Sequence, residues 1–233
     1  RARVDASSAA VSINAHPGTG DYVQGYALGS DDQRVVYEAA TLPGVMEVYS
    51  APMNGAQAPI RLHPALPFDG GVREFALTSD AARVVFVASL GLDSHSHPNY
   101  VLQSAPIDGS LAPLTLDAPP DGLGFRGLSI SPDSSRAVYL VVEPNFTTDP
   151  DSTELRSVRV DASEGAVRLD ATNGTPATLF GIGSPVVPFA VSADPSLVLY
   201  LWHPANTPNE DVAHRGLYSV RIDGSAAPVT LAE

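Results

Sequence analysis

The chain has 233 residues, 44% of them hydrophobic, no Cys and a formal charge of −13. That length and apolar content suffice for a full-sized core, and the missing Cys excludes disulfides and thiolate metal sites. The acidic balance argues against nucleic acid or an anionic membrane as partner, since both are held through basic patches.

The 21 Pro and 19 Gly are too many for a helical protein and suit a chain with many turns. No apolar run approaches the roughly 20 residues that span a bilayer, so no membrane insertion is expected, and no signal peptide is visible. All 13 basic residues are Arg. With the abundant Ala, Pro and Asp, this reads as a GC-rich bacterial coding bias.

Residues 1–14, RARVDASSAAVSIN, open inside a unit that recurs along the chain. They match only its second half, with Val4-Asp5-Ala6 where Met53-Asn54-Gly55 stands one copy later. Four complete units follow, near 22–63, 72–117, 125–171 and 186–232. Each begins with a Ser/Asp turn and an apolar strand: GSDDQRVVYEA from Gly29, TSDAARVVFVA from Thr78, SPDSSRAVYLVV from Ser131 and SADPSLVLYLW from Ser192. A second signature closes each: SAPMNGAQAPIRL from Ser50, SAPIDGSLAPLTL from Ser104, SVRVDASEGAVRL from Ser157 and SVRIDGSAAPVTL from Ser219. The step is 49 residues from Arg34 to Arg83, 53 on to Arg136 and 61 on to Leu197. A period near 50 with several strands per copy points to propeller blades rather than to a solenoid.

Four strands are predicted per unit, lettered A to D here. In the third copy they are FRGLSIS, Ala137–Val142, Leu155–Val160 and Ala166–Asp170. Pro132 presets a type I turn between A and B, across which the Asp133 carboxylate accepts backbone N–H bonds. Val84–Ala88 is apolar at every position and should be buried on both faces, as stacked blades require. Strands C and D should meet in tight hairpins at Asn54-Gly55, Asp108-Gly109 and Asp223-Gly224. Asp161-Ala162 breaks that pattern and is expected to need a longer turn.

These units resemble the TolB-type propeller repeat, a WD-like repeat with a Ser-Pro-Asp-Gly turn ahead of an apolar strand. The third copy keeps Ser-Pro-Asp, and none keeps the Gly. The resemblance covers essentially the whole chain and implies an all-β propeller of four-stranded antiparallel blades. Four complete blades and two extra outer strands at 1–14 are counted, within a single propeller domain over 1–233 that forms part of a larger ring. Strands following Glu233 would let residues 1–14 clasp such a ring shut. Otherwise the end blades leave open edges, which proteins normally cover, so assembly with a second chain is an alternative.

Alternating strand direction puts the short A–B and C–D turns on one face and the longer B–C and D–A connections on the other. All six His fall on the long-loop side or its margins, His16 and His63 on D–A segments, His95, His97, His203 and His214 on B–C segments. His63, His95, His97, Trp202, His203, His214, Asp149 and Asp151 therefore mark the expected partner-binding face. No cofactor is expected, save for a divalent metal if His95 and His97 act as alternate-residue ligands beside Asp93. Against that stands a polar loop leading into Pro98. Asp149, Asp151 and Glu154 offer oxygen ligands without the spacing of a Ca²⁺ loop.

No catalytic motif appears. GIGSP at 181–185 lacks the last Gly of a nucleophile elbow, and no metallopeptidase, nucleotide or dinucleotide signature is present. The expectation is a non-catalytic binding or scaffold propeller of a bacterial envelope or secreted protein, periplasmic or extracellular, with a protein or peptide partner. The alternative is the propeller of an enzyme. The resemblance allows a gating domain of a prolyl-oligopeptidase-like peptidase, and the histidines allow a metal-dependent lyase or hydrolase.

Overall fold

The computed structural model describes residues 12–13, 22–42, 45–92, 97–120, 123–142, 154–170, 177–178, 189–204 and 216–232. The strands predicted within 1–14 lie outside these, except for Ser12 and Ile13, neither of which is in a strand.

Regular structure among the described residues is entirely β. Sheet 1 is β1 (Tyr22–Leu28), β2 (Arg34–Leu42), β3 (Val45–Pro52) and β4 (Ile60–Arg61). Sheet 2 is β5 (Gly71–Leu77), β6 (Arg83–Leu92), β7 (Pro98–Pro106) and β8 (Leu114–Asp117). Sheet 3 is β9 (Gly124–Ile130), β10 (Arg136–Val142), β11 (Glu154–Arg159) and β12 (Val167–Arg168). Sheet 4 holds β14 (Phe189–Val191), β15 (Leu197–Pro204), β16 (Gly216–Arg221) and β17 (Val229–Ala232), and β13 (Ala177–Thr178) pairs with the far end of β15. Sheets 1 to 3 are antiparallel meanders in chain order, as is sheet 4 from β14 to β17, and the four predicted B strands fall in four separate sheets.

The chain divides into two compact units, 1–115 and 116–233, with the division inside β8. In the first, Val36 and Val48 of sheet 1 share a core with Val84, Phe86 and Ala88 of sheet 2. In the second, Val138, Leu140 and Leu155 of sheet 3 pack with Val198, Tyr200 and Tyr218 of sheet 4. Strand β6 is covered on both sides, as its unbroken apolar run required: Val84 to Ala88 are all buried, and so is every residue of β10. Each such Val or Phe contributes about 1.5–3 kcal/mol.

The A–B turns share one construction. Asp31, Asp80, Asp133 and Asp194 each accept the backbone N–H two residues on, at 2.9, 3.0, 3.1 and 3.1 Å. The residue after the Asp has positive φ in three of them: Asp32 at 54°, Ala81 at 56° and Ser134 at 64°. This is the place of the Gly in Ser-Pro-Asp-Gly. The backbone keeps the left-handed conformation although the side chain has changed. In the fourth turn the position is Pro195, whose ring locks φ negative.

The C–D turns correct one expectation. Asp161-Ala162 forms a turn of the same length as the others, with Ala162 N–H donating to the Arg159 carbonyl at 3.1 Å. Gly55, Gly109 and Gly224 make the same bond at 3.1, 3.1 and 2.9 Å. Ala162 itself adopts φ 58°, against 67° for Gly109 and 68° for Gly224. The turn geometry is fixed by strands β11 and β12, and Ala162 carries the steric cost.

Two of these glycines also lie against the preceding sheet. A Cβ on Gly109 would sit 2.8 Å from Ile60 Cγ2, and one on Gly224 would sit 2.3 Å from Val167 Cγ1. Gly224→Ala should therefore destabilise the protein by about 2 kcal/mol, from left-handed strain and overlap together. Ala162→Gly, relieving strain alone, should stabilise it by about 0.5–1 kcal/mol. Denaturant unfolding of the two variants reads both signs.

Candidate functional site

The B–C and D–A connections leave each sheet at one end. In the first unit that end carries three exposed apolar residues, Phe68, Leu90 and Leu92. The D–A segment runs Leu66-Pro67-Phe68 and then turns, with Gly70 N–H donating to the Pro67 carbonyl at 2.8 Å. The far end of β6 lies against this turn. A Cβ on Gly91, whose φ is +102°, would be 3.1 Å from Pro67 Cγ, and one on Gly70 would be 2.6 Å from the Ser89 carbonyl oxygen. The D–A turn that carries Phe68 therefore packs against the end of β6 that carries Leu90 and Leu92. Phe68, Leu90 and Leu92 are 74%, 44% and 51% exposed.

The end of sheet 1 is fastened by a polar cluster. Glu47 is buried and accepts the Tyr49 hydroxyl at 2.6 Å and Arg61 Nη1 at 3.0 Å. His63, only 5% exposed, follows β4. Its Nδ1–H donates 2.6 Å to the Pro64 carbonyl, and its Nε2 accepts the Val48 N–H at 3.2 Å. Burial pushes its pKa down, partly countered by the Pro64 bond and by Glu47. With both ring nitrogens used and the ring covered, His63 is a packing group. Its expected place on a partner-binding surface is corrected accordingly.

The second unit repeats the plan with more charge. Glu154 accepts Arg168 Nη1 at 3.0 Å and Arg156 Nε at 2.6 Å. Arg168 Nε continues to Asp170 Oδ1 at 2.8 Å, and Arg156 Nη1 reaches Asp117 Oδ2 at 3.0 Å. The Tyr139 hydroxyl donates to the same Asp117 oxygen at 2.7 Å, and its pKa is pushed up by burial and then by Asp117. Asp170 is fully buried; desolvation raises its pKa against the pull of Arg168. The Tyr200 hydroxyl, whose pKa burial and Asp170 both raise, has no hydrogen-bond partner among the described residues.

The spacing of this cluster matches that of sheet 1. Glu47, Arg61 and His63 stand where Glu154, Arg168 and Asp170 stand, with Tyr49 opposite Arg61 and Arg156 opposite Arg168. Sheets 2 and 4 have Val101 and Thr115, and Gly216 and Thr230, at the paired positions. The pairing follows outer-strand length. β4 and β12 are two residues long and carry the ion pair, whereas β8 and β17 are four residues long and do not.

A second repeated contact was visible in the sequence only as a position marker. Arg34 Nε donates to Ser50 Oγ at 2.8 Å, Arg83 Nε to Ser104 Oγ at 2.7 Å and Arg136 Nη1 to Ser157 Oγ at 3.3 Å. Arg136 also pairs with Glu164. Each bond ties the start of strand B to strand C at the short-turn end.

Of the predicted site residues, Asp93, His95, Asp149, Asp151 and His214 lie outside the described residues. His97 directly precedes β7. Trp202 and His203 lie near the end of β15, their backbones opposite Gly216 and Thr178. Glu154 is in the ion-pair cluster rather than in an open oxygen site. No group of three or more His, Asp or Glu among the described residues is placed to hold a metal ion. No helix is long and apolar enough to cross a membrane among those residues.

No protein-family model matches the chain, and its sequence matches no curated protein. Solved structures are similar in fold. The chain superposes on oligogalacturonate lyase from Vibrio parahaemolyticus with a TM-score of 0.59 and 14% identity, covering 93% of this chain and 54% of that one. A protein assigned as TolB from Agrobacterium tumefaciens gives 0.50 and 16%, over 88% of this chain and 63% of that one. A puromycin-hydrolysing peptidase from Mycobacterium tuberculosis gives 0.53 and 17%, over 93% and 31%. The chain thus spans about half to two thirds of the first two structures. At these identities the likeness is one of fold, in blade-like antiparallel sheets.

Two outcomes test the site's internal structure. Arg168→Gln leaves Asp170 buried beside a weaker partner and should cost about 3 kcal/mol in chemical denaturation, the low end for breaking a buried pair. His63 has a folded pKa below its unfolded value of about 6.5. Its contribution is therefore complete above that pH and is lost as pH falls towards the folded pKa. Melting temperature should drop between neutral and mildly acidic pH, and more steeply than in His63→Gln.

Proposed function

We propose that this chain is a non-catalytic binding module of the propeller kind, which engages a protein or peptide partner through its loop-bearing end. The observation that carries this reading is the exposure of Phe68 on the D–A turn and of Leu90 and Leu92 at the end of β6 that this turn packs against. Isolated exposed apolar residues are ordinary, whereas several at one end of a sheet are a feature of recognition surfaces. The polar groups at the same ends support it differently. Glu47, His63, Glu154, Arg156, Arg168 and Asp170 are spent on one another and on backbone, so they fasten the loops rather than present a nucleophile or a base. Residence in a bacterial envelope or secretion belongs to the same proposal.

A second reading makes the chain an accessory domain of an enzyme. It is favoured by the superposition that covers 93% of this chain but only 31% of the mycobacterial peptidase. Stoichiometric metal in purified protein, lost on His95→Ala, would move the weight towards a metal enzyme.

The test is comparative. The 233-residue chain is presented with extracts of bacterial envelope and periplasm, beside Phe68→Asp, Leu92→Asp and Leu111→Asp. Leu111 is 69% exposed at the opposite, short-turn end and serves as control. A partner retained by the parent and by Leu111→Asp should bind the other two variants at least about tenfold more weakly, or about 1.4 kcal/mol. Equal retention by all four proteins would sink the proposal.

A further inference from the structure

The four C–D turns differ in one side chain whose chemistry sets it apart. Sheets 2, 3 and 4 open this turn with Asp108, Asp161 and Asp223, whereas sheet 1 opens it with Asn54. The frame around that side chain is the same in all four. Asn54 Oδ1 accepts the Ala56 N–H at 2.9 Å. The three Asp residues accept the N–H of Ser110, Ser163 and Ser225 in the same way, at 2.9, 3.0 and 3.0 Å. Asn54 and Gly55 are exposed, and Gly55 has φ 68°.

An amide side chain at this place is an electrophile beside a nucleophile. The main-chain nitrogen of the next residue can close a five-membered ring on the side-chain carbonyl carbon, and a Gly there puts no Cβ in the way. The Ala56 N–H already points at Oδ1, the oxygen on which negative charge gathers as the ring closes. Opposing closure is the bond from Gly55 N–H to the Pro52 carbonyl at 3.1 Å, a single hydrogen bond at an exposed turn.

We infer that Asn54 is a site of spontaneous deamidation in the folded chain, with water as co-reactant. The Gly55 nitrogen loses its proton to hydroxide and bonds to Asn54 Cγ. The Cγ–Nδ2 bond breaks, and Nδ2 takes a proton from water and leaves as ammonia. Water then adds to the cyclic imide, one of the two carbon bonds to the ring nitrogen breaks, and that nitrogen recovers a proton. Opening at Cγ gives Asp, the residue that the other three turns already hold, so the turn keeps its bonds. Opening at the main-chain carbon would instead lengthen the backbone inside the turn. Either product adds one negative charge to a chain that starts at −13, at the short-turn end. The site is far in sequence from Phe68, Leu90 and Leu92, and either proposal can fail alone.

The folded chain is held at neutral and at mildly alkaline pH, sampled over time and digested with trypsin. Peptide 35–61 carries Asn54 as its one Asn, and peptide 84–126 carries Asn99, followed by Tyr100, as an internal reference. Fragmentation should place the exchange of NH₂ for OH on residue 54, several-fold faster than on Asn99 and faster at the higher pH. Gly55→Ala should slow it several-fold. That variant keeps the turn, since sheet 3 already holds Ala162 with φ 58° at the same place. Asn54→Asp should unfold at the same denaturant concentration as the parent. Conversion at residue 54 no faster than at Asn99, or seen only in denatured protein, would overturn the assignment.

Discussion

The structure depends on sheet faces covering one another. A four-stranded antiparallel sheet with apolar residues on both sides cannot satisfy itself. Strands such as Val84–Ala88 and Arg136–Val142 become stable only when neighbours lie on each face. The rest of the chain serves that condition. The A–B and C–D turns keep the strands in register, the Arg–Ser bonds tie strand B to strand C, and the glycines at 109 and 224 let a turn approach the sheet before it.

Much of this was legible in the sequence because it rests on local rules repeated in copies. Asp133 and its equivalents cap their turns from two residues away, a short-range bond that residue type alone announces. What failed to show was also physical. Nothing in Asp32, Ala81 or Ser134 declares a left-handed residue, because the flanking strands impose that conformation after the Gly is gone. Ala162 misled for the same reason. A strained turn is retained where two long-range sheet contacts outweigh a local cost.

The candidate site was less legible. The spacing from Glu47 to Arg61 recurs from Glu154 to Arg168, but the pairing becomes meaningful only when strands C and D are laid side by side. His63 precedes a Pro in a connection and so reads as a loop residue, yet packing takes it inside, where backbone groups occupy both nitrogens. Phe68 had no sequence signature, because an exposed aromatic is defined by what fails to cover it. The ion-pair clusters are fasteners on this account, and the proposed recognition falls to exposed apolar residues such as Phe68.

The two short outer strands have a further consequence. An unpaired strand edge is a template on which any extended segment can add, and sheets left open in this way tend to recruit foreign chains. β4 and β12 offer only two residues of ladder, each with an Arg whose side chain is drawn to a Glu one strand inward. Lateral growth by backbone bonding is thereby discouraged at sheets 1 and 3. Those two edges therefore do not invite the indiscriminate lengthening that ends in fibrils.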